Sequence, residues 1–287
     1  MSRAAVFAAL LVCATAGRLS AQCRVPKNSN EAKLLAFYSM PIVFSPANAP
    51  DLSPAWTVRI GGEGGLVPEP DSAIRQSGIC FTKKSENTGL SSVFGRPRLA
   101  LKLPKGFSIE GSYLPPINFG DAEPNLGSAA LSWTKRIRMA PTGNATDVML
   151  RGHGTFGHVR GPITCPNEAL QQSNASQPCY GTKESHDTFK PNMMGVEGVV
   201  STAAWDGRLA FYGGVGENFL RPRFQVGFID AGGNVDNTLV VVDLNRFAMF
   251  AGASLEVTNR IDFSAQAYGQ HSDGVTFRLG GGYRLYR

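Results

Sequence analysis

Histidine and charge are both scarce in this sequence of 287 residues. Four histidines are present, and Asp, Glu, Lys and Arg make up 17% of the chain, against about 25% in an average soluble domain. Few histidines narrow the choice of catalytic and metal-binding sets, because histidine is the commonest general base and a frequent metal ligand. Few charges indicate that much of the surface does not face water.

After the N-terminal segment, the sequence contains no long apolar run. Arg3 precedes the run AAVFAALLVCATAG and then RLSAQ, a layout typical of a secretory signal peptide cleaved after Ala21. This run is too short to cross a bilayer, and no later stretch approaches about 18 uninterrupted apolar residues, so no transmembrane helix is expected. We predict a signal peptide over 1–21, a leader over 22–53 and a β-domain over 54–287.

Cysteine is rare as well, and removal of the signal peptide leaves Cys23, Cys80, Cys165 and Cys179. Export leads to an oxidising compartment, so an even number of cysteines indicates disulfides. The nearest pairing joins Cys165 to Cys179 and leaves Cys23 for Cys80, although the sequence permits three connectivities. A metal site is the other interpretation, but there is no CxxC pair and no histidine at ligand spacing. We expect neither a metal nor a cofactor.

The net charge of the chain is small. The net charge of +6 falls to +4 when the signal peptide leaves, because 26 basic residues then face 22 acidic ones. The basic residues are scattered along the chain rather than clustered with aromatic residues, which is not the pattern of a nucleic-acid-binding surface. No nucleic-acid partner is expected.

Glycine, by contrast, is abundant, with 33 residues, and a two-residue alternation runs through the chain after residue 53. In RIDFSAQAYGQ, for example, Ile261 and Phe263 alternate with Asp262 and Ser264. Successive side chains of a strand point to opposite faces, so each segment has one apolar and one polar face. We count ten such strands, with twelve as the alternative, and predict an all-β fold.

The connections between these strands alternate in length. The links after the second, fourth, sixth and eighth strands are short, at 104–106, 140–146, 206–207 and 258–259. The links after the first, third, fifth and seventh are longer, at 68–95, 115–125, 161–192 and 231–237, while the last link, HSDG, is short. In an up-and-down sheet, short links therefore gather at one end and long loops at the other.

Alternation alone does not decide which solvent the apolar face meets. A soluble exported sandwich or lipocalin-like barrel would turn that face inward. The low charge, the sorted connections, and Trp56 and Trp205 at the short-turn ends of their strands favour a membrane instead.

With the closing strand DGVTFRLGGGYRLYR, these features resemble those of a bacterial outer-membrane β-barrel. The resemblance covers roughly residues 54–287 and implies a closed antiparallel up-and-down barrel in the outer membrane. It also implies contact with membrane lipid and insertion by the barrel-assembly machinery. Arg287 departs from the pattern, because such chains usually end in an aromatic residue.

The leader contains one helical candidate, SNEAKLLAFY, which Ser29 or Asn30 would cap. We expect this helix either in the periplasm or inside the barrel as a plug.

The polar face of the barrel strands carries both signs of charge and is expected to line the lumen. Its charges could favour the passage of anions, since rings of charge set pore selectivity. Alternatively, they neutralise one another in ion-pair networks. The predicted lumen charges are Arg59, Arg98, Lys102, Arg136, Arg138, Arg151, Arg246, Arg278, Arg284, Glu63, Glu110, Glu197, Glu256 and Asp262.

Catalytic sets are hard to assemble from this chain, and we do not expect an enzyme. The resemblance includes phospholipases that pair His with Ser and proteases that pair His with Asp. His153 would point to the lumen and His186 stands beside Asp187 in the longest loop, but ordinary lumen and loop residues explain both. His158 and His271 complete the set, and no G-x-S-x-G motif is present.

Three functional hypotheses follow from the sequence. The first is a narrow channel or transporter for a small solute, and the second is a non-conducting surface barrel whose disulfide-held loops bind partners. An outer-membrane hydrolase is the third.

Overall fold

The computed structural model describes residues 22–75, 79–80, 91–118, 120–138, 145–270 and 273–285, without the side chains of 138, 145 and 206. The predicted signal peptide, His271 and Arg287 lie outside these ranges. Sixteen strands form in the described residues. They are β1 (Gln22–Arg24), β2 (Val58–Leu66), β3 (Val93–Lys102), β4 (Phe107–Leu114), β5 (Glu123–Arg138), β6 (Ala145–Gly161), β7 (Asp187–Lys190), β8 (Met193–Ala204), β9 (Leu209–Leu220), β10 (Arg223–Gln225), β11 (Phe228–Ile229), β12 (Val235–Asp236), β13 (Leu239–Val241), β14 (Leu244–Glu256), β15 (Ile261–Gln270) and β16 (Gly274–Leu285).

Ten of these strands, β2–β6, β8, β9 and β14–β16, form a closed barrel. Each pairs antiparallel with the next barrel strand along the chain, and β16 pairs with β2 to close the sheet. The predicted up-and-down barrel is confirmed, with ten strands rather than twelve.

The apolar face of the barrel points outward. Leu150 and Leu279 are 63% and 69% exposed, whereas their sequence neighbours Arg151 and Arg278 are 3% and 5% exposed. A soluble barrel places its apolar face inside, so this arrangement matches a hydrocarbon surrounding instead. The soluble alternative is therefore excluded.

A charge placed on the outer face tests this orientation. Met249 lies near the middle of β14 on the outer face, and Leu255 lies on the same face one residue from the end of that strand. We expect Met249→Arg to destabilise the barrel by about 2–4 kcal/mol and Leu255→Arg by about 0–1 kcal/mol, because burying a charge in hydrocarbon costs most at the midplane. Urea unfolding in lipid vesicles measures both, and equal costs would contradict the orientation.

The connections are sorted by length, as predicted. Connections 103–106, 205–208 and 257–260 form the short-turn end, where β5 also ends and β6 begins. Connections 67–92, 115–122, 162–192 and 221–243 lie at the opposite long-loop end, together with the short link between β15 and β16.

The fourth long loop departs most from its predicted bounds. It covers 221–243 rather than 231–237, because β9 ends at Leu220 and β14 begins at Leu244. Pro222 follows the end of β9, and proline cannot donate to a strand ladder. The apolar residues between the two barrel strands form the short strands β10–β13 instead.

The leader runs through the barrel from the long-loop end to the short-turn end. It begins with β1, which pairs in parallel with β13, and continues as a helix over Asn30–Ser39. Ser29 caps this helix by accepting the Ala32 N–H at 3.2 Å. No helix in the described ranges is both long enough and apolar enough to span a bilayer.

Beyond the helix, the chain from Met40 to Ala49 lies within the lumen. Met40, Val43 and Phe44 have no exposed surface, and the Ala49 N–H donates to Ser254 Oγ of β14 at 2.9 Å. Below that point, the Asp51 carbonyl accepts from Lys102 Nζ at 2.9 Å, near the short-turn end. We call residues 40–53 the threading segment.

The long loops form a cap that is attached to the barrel by strand pairing and disulfides. Strands β7, β10, β13 and β1 extend the sheet from the long-loop end of β6. Both predicted disulfides are present, with Cα atoms 6.0 Å apart for Cys23–Cys80 and 5.3 Å apart for Cys165–Cys179. The first disulfide ties the start of the leader to the loop between β2 and β3.

Candidate functional site

The middle of the lumen holds seven charged side chains that reach inward from the wall. Strand register places Glu63 opposite Arg96 and Glu197 opposite Arg151. Arg96 Nε donates to Glu63 Oε1 at 2.6 Å, and Arg151 Nη1 donates to Glu197 Oε2 at 2.9 Å. These charges are therefore paired. The set, which we call the central cluster, consists of Arg96, Arg98, Arg151, Arg278, Glu63, Glu110 and Glu197.

The arginines of the central cluster also hold the threading segment. Arg96 donates to the carbonyls of Ile42 and Val43 at 3.0 and 2.8 Å. From β16, on the other side of β2, Arg278 donates to the carbonyls of Val43 and Met40, each at 3.0 Å. Backbone carbonyls thus supply acceptors that the three glutamates do not provide.

Phe44 stands at the centre of this arrangement. The guanidinium carbons of Arg98, Arg96 and Arg151 lie 4.1, 4.7 and 5.1 Å from the centroid of its ring. Such distances allow cation–π attraction, which is stronger when water is excluded. Arg98 also donates to the Ser45 carbonyl at 2.9 Å, and Arg151 donates to the Phe44 carbonyl.

The other predicted lumen charges lie nearer the two ends of the barrel. Arg59 donates to Asp262 and Arg284 to Glu256, at 2.6 and 2.5 Å, near the short-turn end. The remaining three described side chains each contact an acidic residue or backbone carbonyl, while the side chain of Arg138 is outside the description. These contacts are Lys102 with Asp51, Arg136 with Asp147 and Arg246 with Asp273.

Sequence reasoning missed part of this network. Arg96 shares the inward parity of Arg98 and could have been found from that spacing alone. Asp147 and Asp273 pair with Arg136 and Arg246, but they lie next to connections whose boundaries the sequence leaves open. The threading segment could not be foreseen, because its part in the network consists of backbone carbonyls.

The histidines and the loop aspartate have different surroundings. His153 is buried in the lumen with Nε2 3.5 Å from Glu197 Oε1, and neither ring nitrogen has a hydrogen-bond partner among the described residues. His186 is exposed, whereas Asp187 is buried and accepts from Thr164 and Ser185. Asp187 therefore organises the loop, and the expectation that the chain is not an enzyme stays a prediction.

An apolar cavity of about 410 Å³ opens above the central cluster, at the long-loop end. One side is the leader helix, which contributes Leu34, Leu35 and Tyr38. The barrel and the cap form the other sides, so the cavity lies between the leader helix and the barrel wall. Their apolar contributions include Phe94, Leu114, Val159, Ile163, Phe189 and Phe224.

Glu31 brings a charge to the rim of this cavity. Its Oε1 accepts the backbone N–H of Cys80 at 2.9 Å and that of Ile79. Burial alone would raise the pKa of the Glu31 carboxyl, but these hydrogen bonds outweigh it and hold the pKa below its ordinary value. The carboxylate is therefore ionised at neutral pH and already engaged by the loop. Anionic ligands would be repelled at this rim.

The two ends of the lumen differ in free volume. On the short-turn side of the leader helix, a cavity of only about 60 Å³ remains between the threading segment and the wall. It is lined by Arg59, Arg98, Glu110 and Arg284. Such a space holds a few water molecules, each of which needs about 10–15 Å³. Within the described ranges, no group of three or more His, Cys, Asp or Glu is arranged to hold a metal ion.

Comparison with known proteins gave matches among solved structures only. No family model and no curated protein matches the chain. Ail, the attachment invasion locus protein of Yersinia pestis, is 12% identical with a TM-score of 0.32, and the match covers 81% of this chain and 100% of Ail. The translocator domain of autotransporter NalP from Neisseria meningitidis is 11% identical with a TM-score of 0.31, over 82% of this chain and 91% of NalP.

The KdgM porin is 7% identical with a TM-score of 0.31, over 80% of this chain and 99% of the porin. Sequence identities and TM-scores this low say nothing about the activity of the chain. The class of protein to which it is assigned therefore rests on its own geometry. A closed antiparallel sheet of ten strands, apolar outside and charged inside, is the architecture of a bacterial outer-membrane β-barrel.

Proposed function

We propose that this protein takes up small apolar molecules at the bacterial outer membrane and is not an open aqueous pore. The observation that carries the proposal is the apolar cavity of about 410 Å³ between the leader helix and the barrel wall. Ligand sites are typically concave, mostly apolar and about 300–1,000 Å³ in volume. An engineered apolar cavity of about 150 Å³ already binds benzene, so this cavity has room for a larger apolar molecule.

The filled lumen supports the same proposal. The threading segment occupies the centre of the barrel, and the wall arginines bind its carbonyls. We infer that a centre packed in this way does not admit hydrated ions. Of the two roles predicted for the lumen charges, mutual neutralisation is therefore favoured over a passage for anions.

Binding of phenylnaphthylamine, an apolar probe that fluoresces in apolar surroundings, tests the proposal in detergent-solubilised full-length protein. We expect saturable binding to the wild type. Leu34→Trp fills the cavity and should weaken binding by about tenfold, equivalent to about 1.4 kcal/mol. Leu131→Trp makes the same replacement on the outer face, where Leu131 is exposed, and should leave the affinity unchanged.

Planar bilayers provide the opposing measurement. Steady conductance by the full-length protein, together with no saturable probe binding, would contradict the proposal and favour the ion channel. Location in the outer membrane, contact with its lipids and insertion by the barrel-assembly machinery belong to the same proposal. The solute itself would be identified by competition with the probe.

A second candidate is a surface barrel whose cap binds a partner. Its support is the β11–β12 hairpin, where Ile229 and Val235 face each other in register and are both exposed on the cap. If the cavity binds no apolar probe and the protein conducts no ions, this candidate becomes the stronger one.

A further inference from the structure

The leader helix presents one charged side chain to the apolar cavity. Glu31, Leu34, Leu35 and Tyr38 all line this cavity. They share one face of the helix, because residues three or four positions apart are neighbours on a helix surface. Among the described residues that line the cavity, Glu31 alone carries a charge. The cavity therefore has an apolar body and an acidic end.

The structural role of Glu31 accounts for one of its two carboxylate oxygens. Oε1 accepts the backbone N–H groups of Ile79 and Cys80, which attaches the loop between β2 and β3 to the helix. Oε2 has no hydrogen-bond partner among the described residues, although Glu31 is only 3% exposed. An ionised carboxylate can accept at about four positions. The described contacts therefore leave acceptor positions at Oε2 unused.

The Glu31 carboxylate also lacks a counter-charge in the part of the chain that the structure describes. The ion pairs found there all involve other carboxylates. Glu31 lies in the first turn of the helix, where the helix dipole favours a negative charge only modestly. Burying a charge without a partner is unfavourable. A ligand that brings a positive charge to Oε2 would relieve this cost.

The helix sets the distance between the acidic end of the cavity and its apolar body. At about 1.5 Å per residue, Leu35 lies about 6 Å and Tyr38 about 10 Å from Glu31 along the helix axis. A molecule with its polar head at Glu31 would place its apolar body against these two side chains. Aromatic side chains of the wall and the cap line the cavity as well, among them Phe94 and Phe189. A short alkyl chain or two fused aromatic rings match this length.

We propose that the cavity selects apolar molecules that carry a protonated amino group, with Oε2 of Glu31 as the acceptor. This inference rests on the proposed function and names the class of its substrate. An ammonium group supplies both a positive charge and three hydrogen-bond donors. A neutral apolar molecule would fill the same space but leave the carboxylate without a counter-charge, and an anionic one would be repelled.

Competition against phenylnaphthylamine tests this selectivity with the full-length protein in a non-ionic detergent. Three competitors share a naphthalene ring and differ in the head group. Naphthylmethylamine is cationic at neutral pH, ethylnaphthalene is its neutral isostere, and naphthylacetate is anionic. The affinity of each competitor for the wild type is compared with its affinity for Glu31→Gln, so partition into detergent cancels.

Glu31→Gln removes the charge but keeps an oxygen that can accept from Ile79 and Cys80. We expect naphthylmethylamine to bind this variant at least about tenfold more weakly than the wild type, because hydrogen bonds to charged groups are the stronger ones. Ethylnaphthalene should bind both proteins equally, which also shows that the cavity is intact. Naphthylacetate should bind the variant more tightly.

Glu168→Gln is the matched control, because Glu168 is exposed in the cap and does not line the cavity. It should leave all three affinities unchanged. A second measurement needs no variant. Partition of each competitor into protein-free micelles gives its free concentration, and the wild type should then bind naphthylmethylamine more tightly than ethylnaphthalene.

The two proposals fail in different ways. If neither phenylnaphthylamine nor ethylnaphthalene binds the wild type, the apolar binding site itself is wrong. If both bind and Glu31→Gln leaves the affinity for naphthylmethylamine unchanged, selection for amines is overturned while the binding site stands. An equal loss for all three competitors, or an equal loss in Glu168→Gln, would also overturn the selection. Tighter binding of ethylnaphthalene than of naphthylmethylamine to the wild type would do the same.

Discussion

Removal of the leader is expected to turn a silent barrel into an anion-preferring pore. Residues 40–49 fill the lumen, and without them the guanidinium groups that bind their carbonyls would face water. The central cluster contributes four arginines against three glutamates, so the opened passage carries a net positive charge. Rings of charge set the selectivity of such passages.

Cutting the leader after assembly avoids the question of whether a barrel made without it can fold. A protease site inserted after Leu52, which is exposed, allows cleavage in the membrane, and reduction of Cys23–Cys80 then frees the segment. Planar bilayers should show discrete openings only after both steps, with a reversal potential shifted towards that of the anion. Mass spectrometry of the re-isolated barrel checks that the cut segment has left, and a barrel that has lost it and stays silent would show that the segment does not close the lumen.

Loss of the Glu63 carboxylate is expected to destabilise the barrel more than loss of a lumen charge near either end. Glu63 pairs with both Arg96 and Arg98, and its side chain is only 5% exposed. Glu63→Gln leaves two buried cations short of a counter-charge, and breaking a buried pair from one side costs about 3–5 kcal/mol.

Glu256→Gln is the matched control for this substitution. The Glu256 side chain is 37% exposed, and its partner Arg284 retains Asp262 at 3.4 Å. Its loss should cost about 1 kcal/mol or less, as for exposed pairs. Urea unfolding in vesicles, followed by heat-modifiable gel migration, compares the two variants. Similar costs would mean that the central cluster is not a tightly coupled, water-excluded network.

The filled lumen and the apolar cavity assign different tasks to different parts of the barrel. The central cluster and threading segment fill the centre, while the cavity between the leader helix and the wall offers an apolar site. A transporter arranged in this way would keep ions out of the barrel while admitting apolar molecules. The passage of a bound molecule towards the periplasm would then require the threading segment to shift, and its loss in the cleavage experiment should speed that step.

The sequence by itself determined the local features of this protein. Alternation of apolar and polar side chains has a period of two, which is a property of the extended backbone, so strands such as Ile261–Gln270 could be recognised one at a time. Sorted connection lengths then indicated an up-and-down barrel, and residue type reduced the cap of the leader helix to Ser29 or Asn30. A set of lumen charges could be predicted because parity alone decides which side chains of a strand point inward.

Only the tertiary structure decided how distant segments meet. Arg59 and Asp262 are separated by 203 residues in the chain yet form an ion pair, and Val43 accepts hydrogen bonds from Arg96 and Arg278 on different strands. No local pattern encodes the path of the threading segment, since the groups that hold it are backbone carbonyls common to all residues. The cavity is likewise a space between elements. It exists because closure of the sheet brings the leader helix, the cap and the barrel wall to the same place.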